Sequence, residues 1–125
     1  MVASASDWMI EPFGAGVPLP YRARFTPDEL ARLREGLVPG ESDEKWFVYY
    51  HAPYLHFHRS WTGQAVYWVE LVVADDGAAV VQALLATEVP AGSADRLRFH
   101  AQLLEHTVVT LLLGRDHPFP ELPDD

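Results

Sequence analysis

The spacing of apolar residues between positions 26 and 40 predicts a short amphipathic helix. Thr26 and Glu29 stand three residues apart, as the two partners of a capping box do, and Pro27 occupies the first helical position. The apolar residues recur every three or four positions and define one buried face, formed by Leu30, Leu33 and Leu37. Gly36 is predicted to end this helix, because glycine tolerates the left-handed backbone found at helix C-termini.

Between residues 45 and 89 the pattern changes to one typical of β-strands. Four runs are rich in β-branched and aromatic residues or alternate with a period of two: residues 46–50, 55–61, 66–73 and 80–89. Short turn sequences separate these runs, and Asp75-Asp76-Gly77 is the strongest of them. Because parallel neighbours need much longer crossover connections, the short turns predict an antiparallel four-stranded meander.

A long C-terminal helix is predicted over residues 94–113. Ser93 stands at its N-cap position, and Gly114 follows at the position where a C-terminal glycine belongs. At about 1.5 Å per residue the helix is roughly 30 Å long, which is enough to cross four strands. The predicted fold class is therefore α+β, with a short N-terminal helix and a long C-terminal helix packed on one face of the meander.

The chain divides into three predicted parts. Residues 1–24 are an irregular arm, since prolines and glycines interrupt every periodic pattern, yet Trp8 and Phe13 indicate that the arm packs on the domain. Residues 25–120 form a single α+β domain, and residues 121–125 form an acidic tail.

Composition and charge narrow the classes of function. The 125 residues carry a formal net charge of −9, which repels phosphate backbones and anionic lipid, so we expect neither a nucleic-acid nor a membrane partner. Cysteine is absent, which excludes disulfides and thiolate metal sites. No secretion signal is recognisable at the N-terminus, and we expect a bacterial cytoplasmic protein that is a monomer or a homodimer.

The second predicted strand holds the densest set of reactive groups. Period-two alternation places His56, His58 and Ser60 on one face, while Arg59 shares the opposite face with its apolar neighbours. His51 precedes the connecting turn, and we expect it near the face that carries the other two histidines. No carboxylate stands nearby to complete a ligand set, so we predict no metal site and no cofactor.

Arg59 is the residue whose environment distinguishes a structural role from a binding role. A guanidinium among apolar neighbours requires a partner, and we expect Glu70 of the third strand to supply it. The alternative is a small anion site at the strand end, formed by Arg59, Ser60, Thr62 and the backbone of Gly63.

The aromatic residues of the predicted sheet outnumber those needed for one core layer. Seven lie on or beside the first three strands: Trp46, Tyr49, Tyr50, Tyr54, Trp61, Tyr67 and Trp68. We expect most of them in the core and the rest in an exposed patch suited to a partner. The chain contains none of the common nucleophile, phosphate-loop, dinucleotide or zinc-protease motifs.

Three segments together resemble a family of small, mostly bacterial, uncharacterised proteins. The segments are Lys45-Trp46-Phe47, Phe57-His58-Arg59-Ser60-Trp61-Thr62-Gly63, and Leu111-Leu112-Leu113-Gly114 with Pro118-Phe119-Pro120. The resemblance covers residues 43–120, and its longest string directs attention to residues 58–63. His51 and His56 fall outside the pattern. The resemblance implies one domain and no particular activity.

These observations favour a non-catalytic binding or interaction domain, including an immunity- or antitoxin-like role, with a protein or a small anionic ligand as its partner. The predicted ligand-binding residues are His58, Arg59, Ser60, Trp61, Thr62 and Gly63. The alternative is a small hydrolase or transferase acting on a nucleotide-like or ADP-ribose-like substrate. In that enzyme His58 is the general acid or base and Arg59 holds the anion.

Overall fold

The computed structural model describes residues 3–40, 44–87 and 94–120. These residues are built around a single antiparallel sheet whose strands differ in length. Within these residues the sheet has six strands: β1 (Gly16–Pro18), β2 (Arg24–Phe25), β3 (Trp46–His51), β4 (Tyr54–Arg59), β5 (Ala65–Ala74) and β6 (Gly77–Ala86). Their spatial order is β1-β6-β5-β4-β3, and β2 also pairs with β6. The four long strands form the predicted meander.

The predicted number of four strands is wrong, because the arm adds two short strands to the free edge of β6. β1 pairs with β6 from Gly16 to Pro18, and β2 pairs with it at Arg24 and Phe25. Strands of three and two residues are too short to show alternation. Pro18 is tolerated at the end of β1 because an edge strand needs hydrogen bonds on one side only. The arm is therefore only partly irregular.

Three helical elements and a π-helical turn complete the architecture of the described residues. The first is a 3-10 turn, Ala5–Asp7, so the most N-terminal helical element is not an α-helix. The helix with the predicted capping box is α1 (Pro27–Glu35), and α2 spans Ala94–Thr107. The C-terminal helix was predicted to continue to residue 113, but after Thr107 the chain forms a π-helical turn, Val108–Leu112. Ser93, residues 88–89 and the tail 121–125 lie outside the described residues.

The sheet separates two clusters of buried side chains. Its helix face is covered by both α-helices, and the main core there joins Leu33 and Leu104 to Phe57 and Leu85. On the opposite face Phe47 and Tyr49 pack with Ala3, against which Trp8 and Ile10 also lie. We call this second face the arm face, because residues 3–13 of the arm cover part of it. The prediction that the arm packs on the domain is confirmed.

No helix in the described part of the chain is long and apolar enough to cross a membrane.

The capping box of α1 provides a direct test of the fold. The Thr26 hydroxyl accepts a hydrogen bond from the Glu29 amide at 3.1 Å, and the Glu29 carboxylate accepts one from the Thr26 amide at 2.8 Å. We predict that Thr26→Ala lowers the free energy of unfolding by about 1 kcal/mol, whereas Thr26→Ser, which keeps the acceptor, stays close to wild type. Urea unfolding of the three proteins measures the difference. Equal losses for both variants would contradict the role of the hydroxyl.

Candidate functional site

The six predicted site residues form the end of β4 and the turn that follows it, and they do not converge on one point. Backbone alternation places His58 on the arm face and Arg59 on the helix face. Residues 60–63 form the connection to β5. The Arg59 amide donates to the Gln64 carbonyl at 2.9 Å, and the Gly63 amide donates to the Arg59 carbonyl at 2.8 Å. These two hydrogen bonds close the segment into a hairpin turn.

His58 is buried and has a structural hydrogen bond. Its Nδ1 lies 3.0 Å from the Gly63 carbonyl oxygen, which can only accept, so Nδ1 carries the ring proton. The same carbonyl also accepts from the Glu11 amide at 2.8 Å. Burial lowers the pKa of the His58 imidazole, and the bond to Gly63 partly opposes that shift. His58 therefore joins the turn to the sheet as a neutral ring.

The hydrogen-bonding groups of the turn are used within the protein. The Ser60 hydroxyl donates to the Glu44 carbonyl at 2.6 Å, and the Ser60 amide donates to the Lys45 carbonyl at 2.9 Å. The Thr62 hydroxyl accepts from the Gln64 amide at 3.2 Å. The groups proposed for an anion site at this turn thus already stabilise its conformation, so the geometry gives that hypothesis no support.

Arg59 does not pair with Glu70, and this prediction is wrong. Glu70 lies directly across from Tyr54, whose side chain is on the arm face, whereas Arg59 is five residues further along β4 and on the helix face. Arg59 is also exposed rather than desolvated. Its guanidinium carbon lies 5.9 Å from the centroid of the Trp46 ring, in the geometry of a cation–π contact.

The second predicted strand extends to Trp61, and this bound is wrong. β4 ends at Arg59, so Trp61 falls in the turn, where its side chain is 75% exposed. Residues 57–63 thus combine a buried junction with one prominent surface tryptophan.

The three clustered histidines lie on the predicted face. His56 and His58 follow the alternation of β4, and their ring centroids are 6.4 Å apart. His51 is near enough to influence the pKa of His56. Among the described residues no group of three or more histidine, aspartate or glutamate side chains is arranged to hold a metal ion. The absence of a tightly bound metal in solution stays a prediction.

A strip of stacked rings crosses the arm face, and its members come from three strands. Tyr49 stacks on His56 with centroids 4.5 Å apart and planes 5° from parallel, and Tyr54 stacks on Trp68 at 4.0 Å. His56 also contacts Trp68 at 6.2 Å. We call Tyr49, Tyr54, His56 and Trp68 the aromatic strip. Tyr54, His56 and Trp68 are only half buried, so part of the strip faces outward.

The aromatic strip is electrically neutral near pH 7. Burial lowers the pKa of His56 to about 4, and the nearby His58 and His51 add to that shift. The indole nitrogen of Trp68 is buried and has no acceptor within the described part of the chain. The strip therefore offers ring surfaces and carries no cation of its own.

A groove with exposed valines continues the arm face toward the β5–β6 turn. It is an open depression of about 470 Å³, and its lining residues include the apolar Val72, Ala79 and Val81 together with the charged Arg24 and Asp76. Val72 is 53% exposed and Val81 is 43% exposed, whereas branched apolar side chains on this sheet are otherwise mostly buried. Glu70 and Gln82 face each other between the groove and the strip.

The sequence predicted an exposed aromatic patch without identifying its members. The signal that identifies them is strand register, because Tyr54 and His56 share one parity in β4 and Trp68 lies directly across from His56 in β5. The groove is harder to predict, because the sequence alone does not distinguish an exposed valine at a strand end from a buried one.

Comparisons with known proteins give no match: no protein-family model, no curated protein and no solved structure is significantly similar to this chain. The family resemblance drawn from residues 43–120 stays a prediction.

Gly63 tests the junction between the turn and the arm. Its φ is +75°, and a Cβ at this position would lie 2.5 Å from the Met9 carbonyl oxygen. We predict that Gly63→Ala lowers the free energy of unfolding by at least about 2 kcal/mol, since the left-handed backbone alone costs alanine about 1–2 kcal/mol. Gly14→Ala is the matched control, because a Cβ there meets nothing within 4 Å. A Gly63→Ala protein as stable as Gly14→Ala would contradict the close approach.

The pKa of His56 predicts acid sensitivity. Its pKa is about 4 in the folded chain and about 6.5 when unfolded, so the unfolded state binds more protons between these values. The stability due to the neutral ring is present above about pH 6.5 and is lost as the pH falls toward 4. We predict that His56→Gln and His56→Phe both flatten the loss of unfolding free energy between pH 7 and pH 4. Curves parallel to wild type would contradict the prediction.

Proposed function

We propose that this chain is a non-catalytic binding domain that engages a basic protein partner through its arm face. The observation that carries the proposal is that one face of the sheet holds both the aromatic strip and the groove with its exposed Val72 and Val81. Only Glu70 and Gln82 lie between the two. Isolated apolar residues on a surface need no explanation, but aromatic and apolar groups gathered on one face, with polar groups beside them, are typical of an interaction site.

The composition of this surface suits a protein interface. Tyrosine and tryptophan are enriched in interface cores, because they supply a large contact area with few rotatable bonds. The stacking of Tyr54 on Trp68 and of His56 on Tyr49 restricts these side chains before binding. A partner therefore meets a largely ordered surface, which lowers the entropic cost of association.

Charge supports a basic partner. The chain has a net charge of −9, Glu70 lies between the strip and the groove, and the His56 ring stays neutral near pH 7. Such a surface attracts a basic protein and repels an acidic one. An immunity- or antitoxin-like domain that covers a basic toxin has these properties.

The enzyme alternative receives less support from the geometry. The proposed acid–base residue His58 is buried and hydrogen-bonded to Gly63, while the proposed anion-binding Arg59 points to the opposite face of the sheet. One substrate cannot contact both side chains across a packed sheet, so this pair does not form an active site.

Partner capture with surface variants tests the proposal. Wild type, the double variant Val72→Ser/Val81→Ser and the control Leu111→Ser are immobilised and exposed to lysate of the source cells. Leu111 is 47% exposed and belongs to the π-helical turn, away from the groove. We predict that a basic protein is retained by wild type and by the control and is lost by the double variant. All three substitutions are at exposed positions, so the fold should persist.

The retained protein must then bind as a purified component. We expect a Kd at least tenfold higher for the double variant than for wild type, and a Kd that rises with salt. Glu70→Gln should reduce that salt dependence. The proposal fails if no basic protein is retained, or if the double variant binds the purified partner as tightly as wild type.

A further inference from the structure

A second cavity, of about 310 Å³, lies beside the start of β3, on the side of the sheet that the helices cover. Three apolar side chains line it: Leu37 after α1, Trp46 of β3 and Leu111 of the π-helical turn. Trp46 belongs to the main core and is buried, whereas Leu111 is 47% exposed. The cavity thus has an inner aromatic wall and an outer aliphatic one. Its size is at the small end of ligand sites, which measure about 300–1,000 Å³.

The walls formed by Leu37 and Trp46 are fixed before any ligand binds. The Leu37 amide donates to the Val48 carbonyl at 2.8 Å, and the Val48 amide donates to the Leu37 carbonyl at 2.9 Å. The Trp46 ring stacks on Tyr67 with centroids 5.6 Å apart, and it meets Phe57 edge-on at 6.4 Å. A ligand therefore finds these walls in place, which lowers the entropic cost of binding.

The outer wall depends on the π-helical turn. The Leu113 amide donates to the Val108 carbonyl, five residues earlier, at 3.0 Å, and the Arg32 guanidinium donates to the Leu113 carbonyl at 3.0 Å. π-Helical turns are rare, and they occur frequently at functional sites. In this chain the turn carries Leu111, which lines the cavity. The irregular helix end and the cavity are therefore two observations that point to the same place.

Two charged residues, Glu44 and Lys45, also line the cavity. The Glu44 carboxylate accepts a hydrogen bond from the Gly40 amide at 2.6 Å, so it is already used within the protein. Lys45 is the one lysine of the chain, and no ion pair among the described residues includes it. The main-chain carbonyls of Glu44 and Lys45 each accept a hydrogen bond from Ser60, which fixes the backbone that carries the ammonium group. The cavity therefore combines apolar walls with a cation that no described carboxylate neutralises.

We propose that this cavity binds a small aromatic carboxylate. The ring packs against Trp46 and the two leucines, since aromatic pairs gain energy beyond the area that they bury. The carboxylate pairs with the Lys45 ammonium, whose flexible four-carbon stem lets the charge follow the ligand. Apolar walls with a single charged group that orients the ligand are typical of small-molecule sites. The cavity shares no residue with the aromatic strip or the groove, so this proposal is independent of the protein partner.

Titrations with phenylacetate and with its neutral amide, phenylacetamide, test the site at constant ionic strength. The readouts are the NMR signal of the Trp46 indole N–H and the melting temperature, each compared with the same variant without ligand. Lys45→Gln removes the charge and Leu111→Ser removes the outer wall, and both residues are exposed, so the fold should persist. Arg98→Gln is the charge-matched control, because Arg98 is in the first turns of α2 and does not line the cavity.

We expect wild type and Arg98→Gln to bind phenylacetate about fivefold more tightly than phenylacetamide, which is the ratio that an exposed ion pair supports. Lys45→Gln should weaken phenylacetate to the level of the amide and leave the amide unchanged. Leu111→Ser should weaken both ligands about fivefold or more, because it removes a wall that both contact. Val72→Ser/Val81→Ser should change neither Kd.

Three results would overturn the proposal. Equal effects of Lys45→Gln on the two ligands would show that the lysine does not hold the carboxylate. Unchanged binding by Leu111→Ser would show that the ligand is not in the cavity. The third result is the absence of a saturable wild-type response up to about 10 mM phenylacetate, a concentration at which even a small ligand of low efficiency binds.

Discussion

The carbonyl group of Gly63 accepts two hydrogen bonds, one from the His58 ring and one from the Glu11 amide, and much of the structure depends on this junction. The first bond joins the turn to β4, and the second joins the arm to the turn. The indole nitrogen of Trp8 adds a third link by donating to the Ser60 carbonyl at 2.8 Å. The positive φ of Gly63 lets the arm backbone approach this closely. Residues 8–11 of the arm are therefore held by main-chain carbonyls of the turn, while β1 and β2 are held by their pairing with β6.

The junction also fixes which residues reach each face. In β4 the consecutive residues His58 and Arg59 point to opposite sides, so one strand serves both the arm face and the helix face. A shift of one residue in the pairing of β4 would exchange these faces and place His58 among the helices. The pairing with β5 does change register between Phe57 and His58. Just beyond that irregularity, His58 and Arg59 are hydrogen-bonded to the turn, and these bonds keep their side chains on opposite faces of the sheet.

The features predicted correctly from sequence are those with a local physical cause. The capping box needs only Thr26 and Glu29, and the faces of β4 follow from its period-two pattern. The π-helical turn was missed because side-chain bonds of Thr107 and Thr110 to carbonyls four residues earlier leave no periodic signal. The Arg59–Glu70 pair was wrong because pairing depends on register across strands, which the sequence of a single strand does not contain. The aromatic strip required the same information.

The distribution of charge determines how the arm face meets a partner. Burial keeps the His56 and His58 rings unprotonated near pH 7, so the strip is neutral although two imidazoles lie on this face. Arg59 lies on the opposite face of the packed sheet, against the Trp46 ring, and so adds no positive charge to the strip. Acidification changes the arm face, because protonation of His56 places a cation within the half-buried strip and opposes the binding of a basic partner. Loss of affinity for such a partner at low pH should therefore accompany the loss of stability, through the same ring whose neutrality stabilises the fold.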